Sequence, residues 1–306
     1  MQQNKTKPII LRIQINPGDG IQSLAQEGWK EGDTMDILAA AFMKGFQRLA
    51  GDAFQKGWHE RNGGNLTYRV RPEEVAAVRG SLHAATAWEP IGNEVPGLAG
   101  EYFLVTGSGK YMRNVPLAPE ENAALIEIDA QGRNYAIRWG LTQGGRPTSE
   151  LPTHLAAHER RKALTQGKDR VIYHAHPANL IALTFVLPLT DRDFSRALWE
   201  MMTEDPMIFP EGIGVVPWMV PGGKKIADAS VALLDKFRVI VWAHHGLFVC
   251  GESFDEAFGL MDTVEKAAEI CVKVLAMGGK RQTIPHEGFF RLADAFHLKL
   301  NTAFLH

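Results

Sequence analysis

Two histidines one residue apart, His174 and His176, close an apolar run (Val171-Ile172-Tyr173-His174-Ala175-His176), and His245 closes another (Val239-Ile240-Val241-Trp242-Ala243-His244-His245-Gly246). No other feature constrains the fold as much. On a β-strand, residues i and i+2 share a face, so a single strand end aims both imidazoles at one place. A neighbouring strand ending at the same edge can bring the third. Three histidines with a position left open are the ligand set of a catalytic zinc site rather than a structural one. Eleven histidines in 306 residues would give about 0.4 such pairs by chance. The pair alone is therefore weak, and the surrounding chemistry has to carry the reading. His244 competes with His245 as third ligand, because strand alternation lets only one of them face the ion.

The composition is 45% hydrophobic and 22% charged, ordinary for a globular chain with a large core. A net charge of -2 leaves no electrostatic footprint for nucleic acid. The two cysteines, Cys250 and Cys271, form no CxxC, which fits a reducing compartment and excludes a disulfide framework or a cysteine-rich zinc site. No apolar run is long enough to span a membrane. The start of the chain is polar, and Ile9-Ile10-Leu11 is followed by Arg12 without a small-residue cleavage pattern, so no signal peptide is read. The expectation is a cytoplasmic protein.

Residues 1–34 read as an N-terminal extension of unknown role. Leu11, Ile13 and Ile15 alternate as in a short strand, which Pro17-Gly18-Asp19-Gly20 ends. Residues 35–306 read as the catalytic domain. A helix is expected from Met35 to Lys56 with Thr34 as its N-cap, since Leu38, Phe42, Phe46, Leu49 and Ala53 recur at helical spacing. Strands are expected at 65–70, 101–106, 124–129, 135–139, 171–176, 212–218 and 239–245. Helices are expected at 149–166, 179–186, 194–202 and 226–237. Ser253-Phe254-Asp255-Glu256 reads as a capping box that opens a helix ending at Gly278-Gly279. The fold class is α/β: one domain with a central, mainly antiparallel sheet flanked by helices.

Around a metal of this kind a general base is needed. Glu150, in Pro147-Thr148-Ser149-Glu150-Leu151-Pro152, stands at a helix start where backbone N–H groups favour an anion. Taken singly it is also an ordinary first-turn glutamate. Three turns offer phosphate cradles: Arg61-Asn62-Gly63-Gly64-Asn65, Thr106-Gly107-Ser108-Gly109-Lys110 and Thr148-Ser149. Each singly is also plain turn chemistry. Tyr111 stands where a Walker loop needs Ser or Thr, and Gly107-Ser108-Gly109 lacks the third glycine of a dinucleotide site. His154 and His158 have zincin spacing, but Leu155 replaces the catalytic glutamate, so they read as surface or packing residues. Glu204 is either a second carboxylate near the metal or a helix-end charge.

These motifs together, from Glu60-Arg61-Asn62-Gly63-Gly64-Asn65-Leu66-Thr67 through the Val105-to-Lys110 loop, Thr148-Ser149-Glu150-Leu151-Pro152 and His174-Ala175-His176 to His245-Gly246, resemble the class II aldolases. Phe209-Pro210-Glu211-Gly212 and Pro217-Trp218-Met219-Val220-Pro221-Gly222 add to the likeness, which covers roughly residues 35–285 in unbroken motif order. The resemblance implies a zinc-dependent lyase that reversibly cleaves L-rhamnulose 1-phosphate to dihydroxyacetone phosphate and L-lactaldehyde. It implies that His174, His176 and His245 hold one zinc ion per subunit, with Glu204 as a possible resting-state ligand. It makes Glu150 the acid/base residue and gives Asn62, Gly63, Asn65, Ser108, Gly109, Thr148 and Ser149 to the phosphate. A homotetramer with sites near subunit interfaces is also implied. Other members of the superfamily share the metal and the phosphate pocket: fuculose-phosphate aldolases, pentulose-phosphate epimerases and sugar-phosphate dehydratases. A non-catalytic scaffold on the same fold, like the head region of adducin, stands as the alternative outside enzymology.

Overall fold

The computed structural model describes residues 34–306; the expected strand at 11–15, its break at 17–20 and the rest of residues 1–33 lie outside the described residues. Nine strands form a single sheet: β1 (Asn65–Arg69), β2 (Glu89–Pro90), β3 (Tyr102–Thr106), β4 (Ala123–Ile128), β5 (Asn134–Gly140), β6 (Val171–Ala175), β7 (Gly214–Val216), β8 (Val239–Trp242) and β9 (Gly246–Gly251). Their order is β2-β5-β4-β3-β1-β6-β9-β8-β7. Every neighbouring pair is antiparallel except β7 with β8. The helices are α1 (Ala41–Gln55), α2 (Pro72–Ala77), α3 (Pro119–Asn122), α4 (Leu151–Leu164), α5 (Ala178–Leu183), α6 (Asp191–Trp199), α7 (Asp205–Ile208), α8 (Lys224–Leu233), α9 (Phe254–Ala276) and α10 (His286–Ala295).

Side-chain alternation along the central strands explains the layering. Leu66 and Tyr68 of β1 and Val171, Tyr173 and Ala175 of β6 join one core with Phe42 and Phe46 of α1, Leu183 of α5, Phe194 of α6 and Val264 of α9. The other face is covered by α4 and α8: Leu151 and Leu155 pack on Phe103 and Ile126, while Ala157 and Ile226 pack with Ile172, Trp242 and Phe248. A sheet buried on both faces reads as near-continuous apolar strands, and β1 and β6 are buried throughout. Truncating a fully buried phenylalanine such as Phe46 or Phe194 costs about 3–5 kcal/mol. On β6 the residues that alternate with Tyr173, namely Ile172 and His174, belong to the α4 face. His174 therefore looks towards the α4 face of the sheet.

Three local expectations change. The first helix starts at Ala41, not Met35: Asp36 Oδ1 accepts from Leu38 N, a 3-10 turn follows, and Ala40 is extended, so Thr34 caps nothing. The run 239–245 is not one strand. β8 stops at Trp242, and residues 243–245 form a turn closed by His245 N donating to Trp242 O at 3.0 Å. His244 supplies the left-handed residue of that turn (φ 59), and the chain returns as β9 between β8 and β6. At α9, Ser253 Oγ accepts from Glu256 N, but the Glu256 carboxylate reaches Glu252 N, one residue before the position a capping box uses. The helix ends as expected at Gly278 and Gly279, both left-handed.

Candidate metal centre and adjoining pocket

His174 is the penultimate residue of β6, His176 lies just past the end of that strand, and His245 comes from the β8–β9 turn across the β6–β9 pairing. Their nitrogens lie within 4.8 Å of one another. His174 Nε2 is 3.2 Å from His176 Nε2 and 3.3 Å from His245 Nε2. A tetrahedral ion with metal–nitrogen bonds of about 2.0–2.1 Å spaces its ligand nitrogens at about 3.3 Å, so the separations fit.

The hydrogen bonds at the far side of two rings fix their tautomers. His174 Nδ1 is 2.9 Å from Leu247 O, and His176 Nδ1 is 2.7 Å from Glu60 Oε1. A carbonyl and a carboxylate only accept, so each Nδ1 carries the proton and each Nε2 presents a lone pair. Two lone pairs aimed at each other across 3.2 Å repel unless a cation lies between them. The donor set thus fits a divalent ion, and imidazole is a ligand suited to zinc and to several other transition metals. Burial, reinforced by the neighbouring imidazoles, holds His174 well below the ordinary histidine value and brings His245 down to about 4. Both rings are therefore neutral, ligand-competent bases at neutral pH.

Glu150 occupies the cap position just before α4 and is 7% exposed. Its Oε2 accepts from Asn65 Nδ2 at 2.9 Å and lies 3.9 Å from His174 Nε2. Burial raises its pKa above the usual carboxylate value, while the Asn65 hydrogen bond acts the other way. A carboxyl so placed is poised for proton transfer nearer neutrality than a free one.

A cavity of about 210 Å³ opens over these groups. It is lined by the three histidines, Glu150, and the loop residues singled out from sequence: Asn62, Gly63 and Asn65 before β1, Ser108 and Gly109 after β3, and Thr148 and Ser149 before α4. The last two loops are tied together by Ser108 N donating to Arg146 O and Thr148 N donating to Thr106 O, each at 2.8 Å. Asn65 donates to the carboxylate of Glu150, so its amide ties the loop before β1 to that carboxyl.

Glu204 is not brought to this cluster within one chain. It caps the short α7 ahead of Asp205-Pro206, its side chain is exposed, and it lines no part of the cavity. His244 points elsewhere: its Nδ1 and backbone N both meet Thr184 Oγ1 at 3.1 Å, and its ring lies tilted against Phe185. His154 and His158 are not surface residues. Both are fully buried, and both approach Thr67 Oγ1, at 2.8 and 2.9 Å.

Several contributors were quoted in the sequence only inside longer motifs, without a role of their own. Gly64, Gly107, Pro221 and Gly222 also line the cavity. Glu60, quoted only as part of a motif, orients His176. Gly246 admits the metal edge: a Cβ there would lie 2.3 Å from Ala175 O and 3.0 Å from the rings of His174 and His176. The His-Gly dipeptide carried that signal, but the clash is a tertiary fact.

Comparison with known proteins accords with this geometry. The class II aldolase and adducin N-terminal domain family matches residues 46–272. A Mannheimia succiniciproducens protein named rhamnulose-1-phosphate aldolase is 47% identical over 261 residues, covering 85% of this chain and 96% of that protein. One of the same name from Klebsiella pneumoniae is 46% identical over 263 residues, covering 86% and 95%. Among solved structures, a sugar-phosphate aldolase from Thermotoga maritima superposes with a TM-score of 0.67 at 29% identity, covering 78% of this chain and 97% of that one. An L-fuculose-1-phosphate aldolase from Thermus thermophilus shares the fold, with a TM-score of 0.53 at 22% identity over 79% of this chain and 98% of its own.

Proposed function

The chain belongs to the class II aldolase family, and from that premise we propose that it cleaves L-rhamnulose 1-phosphate reversibly to dihydroxyacetone phosphate and L-lactaldehyde, with zinc held by His174, His176 and His245. The observation that carries this reading is the convergence of three imidazole nitrogens beside a buried carboxylate, in a cavity lined also by the polar turns. A divalent ion there supplies a Lewis acid for the ketone oxygen, which takes up charge as the carbon–carbon bond breaks.

The remaining chemistry belongs to the chain. Glu150 delivers a proton to the carbon that becomes the terminal carbon of dihydroxyacetone phosphate, while the hydroxyl proton lost as the aldehyde forms passes to water; both transfers reverse in the synthetic direction. Asn65 holds the carboxylate that does so. Asn62, Gly63, Ser108, Gly109, Thr148 and Ser149 hold the phosphate, so that binding energy far from the reacting bond orients it. Neither a cysteine thiol nor a Schiff-base lysine is needed: both cysteines are buried away from the cavity. A homotetrameric, cytoplasmic enzyme completes the proposal; among the described residues no helix is long and apolar enough to cross a membrane. An adducin-like scaffold is disfavoured because it would leave ligands, base and cavity idle together.

The test is a coupled assay for dihydroxyacetone phosphate released from L-rhamnulose 1-phosphate, with L-fuculose 1-phosphate as the epimeric control, before and after EDTA. Cleavage of the rhamnulose ester that EDTA abolishes and zinc restores is the expected result. Preference for the fucose-series ester reassigns the substrate, and EDTA-insensitive turnover removes the metal from the mechanism.

A further inference from the structure

The loop before β1 is held in a costly conformation by a group that takes no part in the chemistry above. Arg61 has a φ of 46, unusual for a residue with a side chain, and Gly64 follows at 74. Such backbone persists only where its surroundings over-determine it. Part of the restraint is local, since Gly63 N donates to Glu60 O at 2.7 Å. The rest comes from His59, which is 3% exposed. Its Nδ1 lies 2.8 Å from Gly63 O, and its Nε2 lies 2.8 Å from the hydroxyl of Tyr173. A carbonyl only accepts, so Nδ1 bears the proton, and Nε2 accepts from the Tyr173 O–H. Gly64 rests directly on the same ring: a Cβ there would lie 2.5 Å from both Cε1 and Nδ1 of His59.

Tyr173 is wholly buried on β6, on the face opposite to its neighbour His174. The chain Tyr173–His59–Gly63 thus runs from the rigid centre of the sheet to the turn that lines the cavity with Asn62, Gly63 and Gly64. We propose that His59, braced by Tyr173, is a positioning residue for the substrate's phosphate: it locks the 61–64 turn so that the turn's polar groups face the anion. The inference rests on the reading of that turn as part of the phosphate site. His59 does not touch the reacting atoms. Its contribution is realised in binding and orientation, through a turn that would otherwise relax out of its left-handed geometry.

The experiment compares His59→Phe, His59→Asn and Tyr173→Phe with the parent enzyme, all zinc-loaded, using L-rhamnulose 1-phosphate as substrate and inorganic phosphate as competing anion. Phenylalanine keeps the ring volume and loses both hydrogen bonds. It should raise KM and the inhibition constant for inorganic phosphate together by about tenfold, or about 1.4 kcal/mol, a larger change than the fall in kcat, with metal content unchanged. His59→Asn keeps an N–H donor near Gly63 O and should recover most of the loss. Tyr173→Phe removes one hydroxyl only and should raise both constants by about threefold; it carries the test if His59→Phe does not fold. Parent-like constants for phosphate in folded variants overturn the proposal, as does loss of metal in step with loss of phosphate affinity. If inorganic phosphate does not compete in the parent enzyme, the phosphate site itself falls, and this inference with it.

Discussion

Replacing Glu150 with glutamine separates catalysis from folding at one atom. The side chain is 7% exposed, hydrogen-bonded to Asn65 at 2.9 Å, and not one of the three converging nitrogens. An amide of the same shape keeps a carbonyl for Asn65 but cannot accept and return a proton. Removing a positioned acid/base group costs about 10²–10⁴-fold in rate, so kcat should fall by at least about a hundredfold. Stability should move the other way. Burial raises the carboxyl above its ordinary 4.5. The folded state therefore holds a proton that the unfolded chain has already released, and this group's contribution to stability falls as pH rises from 4.5 through the folded-state value. At neutral pH the carboxylate is a burden that the amide lifts. Glu150→Gln should melt at or above the parent temperature and retain a full complement of metal. The assays are steady-state turnover, metal analysis and thermal unfolding on one preparation. A variant within tenfold of parental kcat refutes the acid/base role; one that loses metal refutes the assignment of the ligands to histidine alone.

Other outcomes follow from the same structure. EDTA should strip the ion and abolish turnover, and zinc should restore it; full activity in metal-free protein would sink the centre. Gly246→Ala should weaken metal affinity by about 10- to 100-fold, on the scale of disturbed metal surroundings, because its Cβ would press on Ala175 O and the His174 and His176 rings; equilibrium dialysis with zinc that finds no change would show that the edge yields without cost. The metal-free protein should lose stability steadily below pH 6.5. Burial is the leading cause that lowers His59 to about 4, His154 to about 3, and His158 and His174 well below 6.5. The unfolded chain takes protons first, at a slope of about 1.4 kcal/mol per pH unit for each such group. A urea midpoint that stays flat between pH 6.5 and 4 would contradict this.

The parts legible in sequence were those encoded locally. A strand end writes His174 and His176 onto one face, a helix start writes Glu150 into its cap, and glycine-rich turns mark the loops that gather at the cavity. The mainly antiparallel sheet followed from closely spaced strands. What failed to show depends on pairing across long stretches of chain. His59 meets Tyr173 across 114 residues, and Thr67 meets His154 and His158 across 87 and 91. The i, i+4 spacing of His154 and His158 was visible, but nothing local says that β1 lies beneath them. The β8–β9 turn was hidden because Ala243, His244 and His245 continue an apolar strand pattern; only the left-handed backbone at His244 ends it. Glu204 was legible only as a choice between a second carboxylate and a helix-end charge, and the geometry of one chain places it at the start of α7, away from the three histidines.

The pocket straddles four adjacent strands in the order β3-β1-β6-β9, with two of the polar turns at β3 and β1 and the imidazoles at β6 and β9. Neighbouring strands stand about 4.7–4.9 Å apart, so the sheet sets the spacing between the polar turns and the imidazoles, and on the proposed reading it works as a ruler between the phosphate and the bond to be cut. Insertions in the outer loops can reshape what lies beyond the marks, yet the gap between them is set by backbone ladders that no loop controls. On the proposed reading, which bond is cut is a property of the scaffold, and which sugar arrives is left to the rim.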